Sequence, residues 1–202
     1  MSAFLISFVT WAVLHSVTAA DGIKQRIRSR MGEAAFQGLY RLLYNLFAGA
    51  SFIPVLYVLA TQVPDTQLWT IPTPWRILAY LVQLAGLIGL GFSLWQTDLW
   101  EFVGMRQAMA YFGRQGPTQQ PAQLITAGLY GIVRHPIYFF SLLILWFNPV
   151  VGLGTLIFNL LATAYFWIGS RYEERRLSAA FGDAYREYQQ HVPMLFPIKL
   201  SP

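Results

Sequence analysis

Four long runs without a charged residue set the terms on which this chain can fold. Ser2 to Ala20, Leu42 to Pro64, Ile77 to Trp95 and Ile137 to Ser170 contain no Asp, Glu, Lys or Arg. A helix needs roughly 20 apolar residues to cross a bilayer, and each run has about that many or more. Backbone polar groups inside hydrocarbon must be satisfied within the segment, so such runs are helical when they span lipid. Composition agrees: 55% of the 202 residues are hydrophobic and 11% charged, against about 25% charged in a soluble domain. The expected fold is an all-α polytopic transmembrane bundle of about five spans.

The first run lacks the basic leader and small-residue cleavage site of a removable signal peptide, so it is expected to span. The second contains Pro54, a candidate kink. The third is bounded by Arg76 and Asp98, with Trp75, Trp95 and Trp100 at its ends, as membrane interfaces prefer. The fourth is interrupted by Asn148-Pro149, Gly152 and Gly154, which suits a helical hairpin. At about 1.5 Å per residue it reaches only about 50 Å, short of the roughly 60 Å of two full crossings. The last two spans are therefore expected to form a short hairpin that is tilted, thinned or partly re-entrant.

Basic residues orient the bundle, because Lys and Arg collect on the cytoplasmic side. Lys24, Arg26, Arg28, Arg30 and Arg41 follow the first span, and Arg106, Arg114 and Arg134 follow the third. Arg171, Arg175, Arg176, Arg186 and Lys199 follow the hairpin, and Arg76 alone lies opposite. This predicts an outside N-terminus and a cytoplasmic C-terminus. The net charge of +5 is spread over separate segments, which fits anionic lipid headgroups and offers no nucleic-acid stripe.

No linker, repeat or low-complexity tract divides the chain, so one integral-membrane domain is expected, with a three-span scaffold at 1–96. Residues 97–202 add a polar connection from Thr97 to His135 with a turn around Gly116-Pro117, then the hairpin and a tail. In the tail, Leu177, Phe181, Tyr185 and Tyr188 share one side of a helix that Gly182-Asp183 interrupts, giving a cytosolic amphipathic C-terminal helix. The chain has no cysteine, and His15, His135 and His191 fall in unrelated segments, so no metal cluster is expected. Gly86, Gly89 and Gly91 lie inside an apolar span with no strand before them. They suit close helix packing and exclude a dinucleotide-type glycine loop.

Two polar motifs flank the hairpin. Tyr130-Gly131-Ile132-Val133-Arg134-His135-Pro136-Ile137-Tyr138 stands at its entrance, with Pro136 placed for the first turn of a helix. Charged groups at a lipid boundary are functional candidates, although Arg134 could equally snorkel to headgroups and His135 cap a helix. Glu173-Glu174 stands at the exit among Arg171, Arg175 and Arg176. Taken alone it reads more readily as a solvated ion-pair ladder. Adjacent helical positions point about 100° apart, so the two carboxylates cannot do the same job. One can face a pocket while the other pairs with arginine.

A hairpin brings both motifs to one membrane face. The resulting pocket would offer a carboxylate for an ammonium, an arginine for a carboxylate, and Tyr130, Tyr138 and Tyr172 for a purine or sulfonium. Those are the needs of S-adenosylmethionine.

The entrance motif, then Glu173-Glu174 with Leu177, Phe181-Gly182, Tyr185, Tyr188 and Val192-Pro193, resembles the C-terminal signature of the isoprenylcysteine carboxyl methyltransferase and phospholipid methyltransferase superfamily. Upstream, Leu14-His15-Ser16, Gly104-Met105-Arg106-Gln107 and the tail Val192 to Pro197 look like its bacterial methanethiol S-methyltransferase branch. Leu14-His15-Ser16 is also similar to NnrU-type membrane proteins.

The resemblance implies a SAM-dependent S-methyltransferase of a bacterial inner membrane, acting on a small or lipophilic acceptor, with a methanethiol-like thiol first. It implies cofactor contacts from Tyr130, Arg134, His135, Pro136, Tyr138, Glu173 and Glu174, and no metal. Arg134, Arg106 and His15 are the catalytic candidates, the last two on the substrate side. His15 in an apolar run is more often a packed histidine, and Arg106 also reads as an interfacial anchor. The competing functions are prenylcysteine carboxyl or phospholipid amine methylation and a non-catalytic NnrU-like accessory role.

Overall fold

The computed structural model describes residues 1–64, 66–114 and 123–198. In chain order the elements are α1 (Ser2–Ala19), α2 (Asp21–Met31), α3 (Glu33–Gln62), β1 (Gln67–Thr70), α4 (Trp75–Gln96), α5 (Leu99–Val103) and α6 (Met105–Phe112). A 3-10 turn at Gly128–Gly131 then leads into α7 (Pro136–Trp146), β2 (Val150–Gly152), α8 (Leu153–Phe181) and α9 (Asp183–His191). The turn expected around Gly116-Pro117 lies outside the described residues. Two compact units interleave along the chain: Met1–Pro64 with Asp98–Pro121, and Asp65–Thr97 with Ala122–Pro202.

In the first unit, the extended backbone at Ala20 ends α1 and Gly32 ends α2 at φ +80°, a left-handed conformation that favours glycine. α2 turns Ile23, Ile27 and Met31 inward and leaves Arg26, Arg28 and Arg30 exposed. α3 is helical straight through Pro54. It binds α1 through the Trp11 indole N–H, which donates to the Ala48 carbonyl at 3.1 Å, and through the Tyr40 hydroxyl, which donates to the Thr18 carbonyl. Gly104, at φ +89° between α5 and α6, approaches α3 so closely that a Cβ there would sit 2.4 Å from the Leu42 nitrogen.

In the second unit, α4 buries Ala79, Gly86, Gly89 and Ser93 along one stripe against α7. A Cβ on Gly89 would lie 2.3 Å from the Phe140 ring, and one on Gly86 would lie 3.2 Å from the Phe140 carbonyl oxygen. Small residues of this kind let membrane helices pack backbone to backbone. The Gln83 amide donates to the Ile144 carbonyl at 2.8 Å and fixes the register. Where the sequence shows only an interruption at 148–154, the chain forms β2, which pairs antiparallel with β1 through Gln67↔Gly152, Trp69↔Val151 and Thr70↔Val150. Strands this short leave no readable alternation, so the expected all-helical class omits this ribbon.

Among the described residues, four helices, α1, α3, α4 and α8, are long and apolar enough to cross a membrane. α7 is apolar, but its 11 residues extend only about 17 Å, well short of the roughly 30 Å hydrocarbon core. Outward-facing Ile6, Ile53 and Ile88 are each about two-thirds exposed, the surface expected of helices solvated by lipid. The chain is accordingly an integral membrane protein, with a long partner and a short one in its final hairpin.

Candidate active site

The approach to the site is built on Gln96, at the end of α4. Its side chain accepts from the Leu129 N–H at 3.1 Å and donates to the Ala127 carbonyl at 3.2 Å. Gly128, at φ +65°, has no room for a Cβ beside that amide. The chain then reaches Arg134 and His135, whose backbone N–H groups donate to the Pro193 and Met194 carbonyls at 2.9 and 3.1 Å. The tail is thus bound edge to edge to the entrance of the hairpin. Pro136 follows at the first position of α7, where its missing N–H costs nothing.

Arg134 points inward. Its Nε and Nη2 donate to the two oxygens of Glu174 at 2.8 and 2.9 Å, the bidentate geometry of strong guanidinium–carboxylate pairs. Its Nη1 donates to the Gln189 and Val192 carbonyls. Four of its five N–H donors are committed in this way. Glu174 also takes bonds from the Tyr185 hydroxyl at 2.9 Å and from the Gln189 amide, and lies 3.0 Å from His135 Nε2. The Arg134 and Glu174 side chains are 10% and 9% exposed. A buried pair of this kind holds only when its remaining lone pairs and protons are satisfied, and here the carboxylate has more donors around it than lone-pair directions.

Glu173 is different. Its side chain is 48% exposed, and one oxygen, Oε2, lies 3.4 Å both from His135 Nδ1 and from the Tyr138 hydroxyl. The Tyr138 ring is stacked between His135, at 5.6 Å and 14°, and Phe166, at 5.0 Å and 11°. Tyr172, on the turn before Glu173, is 63% exposed.

Burial opposes a charge on His135, but the neighbouring Glu173 and Glu174 carboxylates outweigh it and raise its pKa above the ordinary histidine value. Burial pushes the Tyr188 phenol up to about 12. It also raises Tyr185, where the bond to Glu174 adds to the shift. Both phenols therefore stay protonated as donors at neutral pH. Tyr130 is raised by burial first and by the Glu173 charge second.

Arg134, His135, Pro136, Tyr138, Glu173 and Glu174 thus come together at the neck of α7 and α8, and the Tyr188 hydroxyl ties in the carbonyl of Tyr130. Sequence reasoning missed Gln189, and it gave Tyr185 and Tyr188 a helix face and a place in the resembling signature but no role at the site. The signal was present, since Tyr185 and Gln189 are one helical turn apart, but nothing in the sequence says that this face meets a carboxylate.

His15 and Arg106 belong to the first unit. The Tyr44 hydroxyl lies 2.9 Å from His15 Nε2, and the imidazole stacks on Trp11 at 5.2 Å. Arg106 Nη2 lies 2.7 Å from Asp98 Oδ2, beside a hollow of about 400 Å³ lined with Trp100, Met105 and Met109.

Fold and site together define a polytopic helical membrane protein with a buried arginine–glutamate lock and a half-exposed second carboxylate at the neck of its last hairpin. The NnrU protein family model matches residues 3–147. Methanethiol S-methyltransferase 1 of Bradyrhizobium diazoefficiens is 32% identical over 198 residues, covering 98% of this chain and 67% of that protein. Methanethiol S-methyltransferase of Pseudomonas deceptionensis is 32% identical over 190 residues, covering 93% and 69%. A more partial likeness, 31% over 126 residues, joins 55% of the chain to 53% of the protein-S-isoprenylcysteine O-methyltransferase of Schizosaccharomyces pombe. The chain belongs to the NnrU family and to the family of the methanethiol S-methyltransferases. No solved structure matches it.

Proposed function

We propose that this chain is an integral-membrane methyltransferase that uses S-adenosylmethionine and methylates a small or membrane-partitioned thiol. The observation that carries this reading is the likeness, over nearly the whole chain, to proteins named methanethiol S-methyltransferase.

The residues at the neck fit the cofactor. Glu173 has a half-exposed carboxylate whose Oε1 is bonded by no described residue and can take an ammonium, and the exposed Tyr172 ring, which the Arg175 guanidinium already approaches at 5.6 Å, is a surface suited to a cation. When bound, S-adenosylmethionine supplies a methyl group on a sulfonium. The chain's own work is to bind, align and keep out water, which is sufficient for a displacement at near-attack distance. Arg134 and Glu174 act as positioning residues, because their hydrogen-bonding capacity is already used within the protein. A thiol acceptor would be further activated by nearby positive charge. The resemblance alone carries Arg106 and His15, both of the first unit, as acceptor-side residues.

The distribution of basic residues supports an outside N-terminus and a cytoplasmic C-terminus, and the likeness to bacterial proteins supports a bacterial inner membrane. A second reading, favoured by the family match over residues 3–147, is a non-catalytic membrane accessory. Radiolabelled methyl transfer from S-adenosylmethionine to methanethiol, other small thiols, prenylcysteines and phospholipids decides between them. The first reading predicts label on the thiols. Label on prenylcysteine or lipid would move the protein to the other acceptor classes, and no label on any acceptor would favour the accessory role.

A further inference from the structure

Among the described residues of the neck, His135 stands within ion-pair distance of both carboxylates. Nε2 lies 3.0 Å from Glu174 Oε1 and Nδ1 lies 3.4 Å from Glu173 Oε2. An ionised carboxylate only accepts, and a neutral imidazole has a single N–H. Whichever tautomer formed, the second nitrogen would turn its lone pair on oxygen lone pairs. With protons on both nitrogens, the ring satisfies both neighbours.

The surrounding charges agree. α8 contributes Glu173 and Glu174. Arg134, alongside, has its guanidinium committed to Glu174, and α9 contributes the Tyr185 hydroxyl and Gln189 amide to the same carboxylate. α7 contributes Tyr138, whose ring stacks on the imidazole. One arginine faces two carboxylates around a histidine side chain only 4% exposed. Glu173 is half-exposed and keeps contact with water, so a proton on His135 is favoured by its contacts to the two carboxylates rather than by relief of a buried charge.

We propose that His135 is held as an imidazolium bridging Glu174 and Glu173, and that it is the positioning residue that orients Glu173 toward a ligand amine. Glu174 is the anchored end of the bridge and Glu173 the working end. The Oε2 of Glu173 is turned to His135 and Tyr138, and no described residue bonds its Oε1. That oxygen is the seat for a primary ammonium of amino-acid type. The bridge itself stands on the geometry; the identity of the amine rests on the methyltransferase reading above.

The test is a histidine titration by NMR on the full chain in detergent, labelled at its three histidines, with the His135 signal assigned from a His135→Asn variant. The expected midpoint lies above the ordinary histidine value of about 6.5, and Glu173→Gln moves it down. Glu173 is half-exposed and the substitution is isosteric, so the variant keeps its fold. A midpoint at or below the ordinary value, or one indifferent to Glu173→Gln, would overturn the bridge.

In parallel, S-adenosylmethionine affinity is measured for wild type, His135→Asn and Glu173→Gln. Loss of the orienting contact is expected to weaken binding about tenfold in His135→Asn, the equivalent of about 1.4 kcal/mol. Unchanged affinity in that variant would remove the positioning role. A raised midpoint responsive to Glu173, with no cofactor binding even by wild type, would uphold the bridge and sink the methyltransferase reading instead.

Discussion

Glu173 and Glu174 are neighbours in the chain with opposite surroundings, and that contrast is where the account is most exposed to test at the residue scale. Removing Glu174 leaves the Arg134 charge buried without its partner. Glu174→Ala is therefore expected to destabilise the protein by about 3–5 kcal/mol, read as a fall in melting temperature in detergent. Glu173→Gln touches a half-exposed group with long contacts and is expected to shift the melting temperature by no more than about 2 °C. Equal losses in the two variants would contradict this division.

That the two carboxylates differ, one of them paired with arginine, was legible in the sequence, because the 100° step of a helix forbids adjacent side chains from sharing a direction. The partners that complete the lock were not legible. The Gln189 amide that donates to Glu174, and the Val192, Pro193 and Met194 carbonyls that accept from Arg134 and His135, arrive through the fold of the tail, and backbone groups leave no mark in a sequence.

At the scale of elements, the second unit depends on how closely α4 and α7 approach. Gly89→Leu would force a branched side chain into the Phe140 ring, and overpacking of this kind costs about 1–3 kcal/mol. The expected outcome is a lower unfolding temperature, with no such effect from Gly91→Leu, since Gly91 has open space around its missing Cβ. Equal effects at both positions would mean that the helices do not pack through this stripe.

The long helices were legible because uncharged runs of this length have few other uses. Gly86 and Gly89 were legible as packing residues, though their partner was not; Gly91, read the same way, instead has open space around it because it lies off the stripe that faces α7. α7 is the element that sequence reading served least well. The 34-residue run located the hairpin, but α8 continues past it to Phe181, and the division into helices of 11 and 29 residues falls at β2, which pairs with β1 about 80 residues away.

For the whole molecule, the orientation in the membrane follows from the charge pattern and is open to a clean measurement, because the chain has no cysteine of its own. Single cysteines at Ser29 and Ala180 are expected to react only with reagents on the cytoplasmic side, and one at Gln67 only from outside. The opposite pattern would reverse the topology.

The central claim is that the neck binds S-adenosylmethionine through the half-exposed carboxylate of Glu173, and the most direct measurement is calorimetric titration of that cofactor into purified wild type and Glu173→Gln. Saturable binding by wild type, lost or weakened at least tenfold in a variant that melts normally, is the predicted result. Absence of binding by a well-folded wild type, or equal affinity in the two proteins, would contradict it.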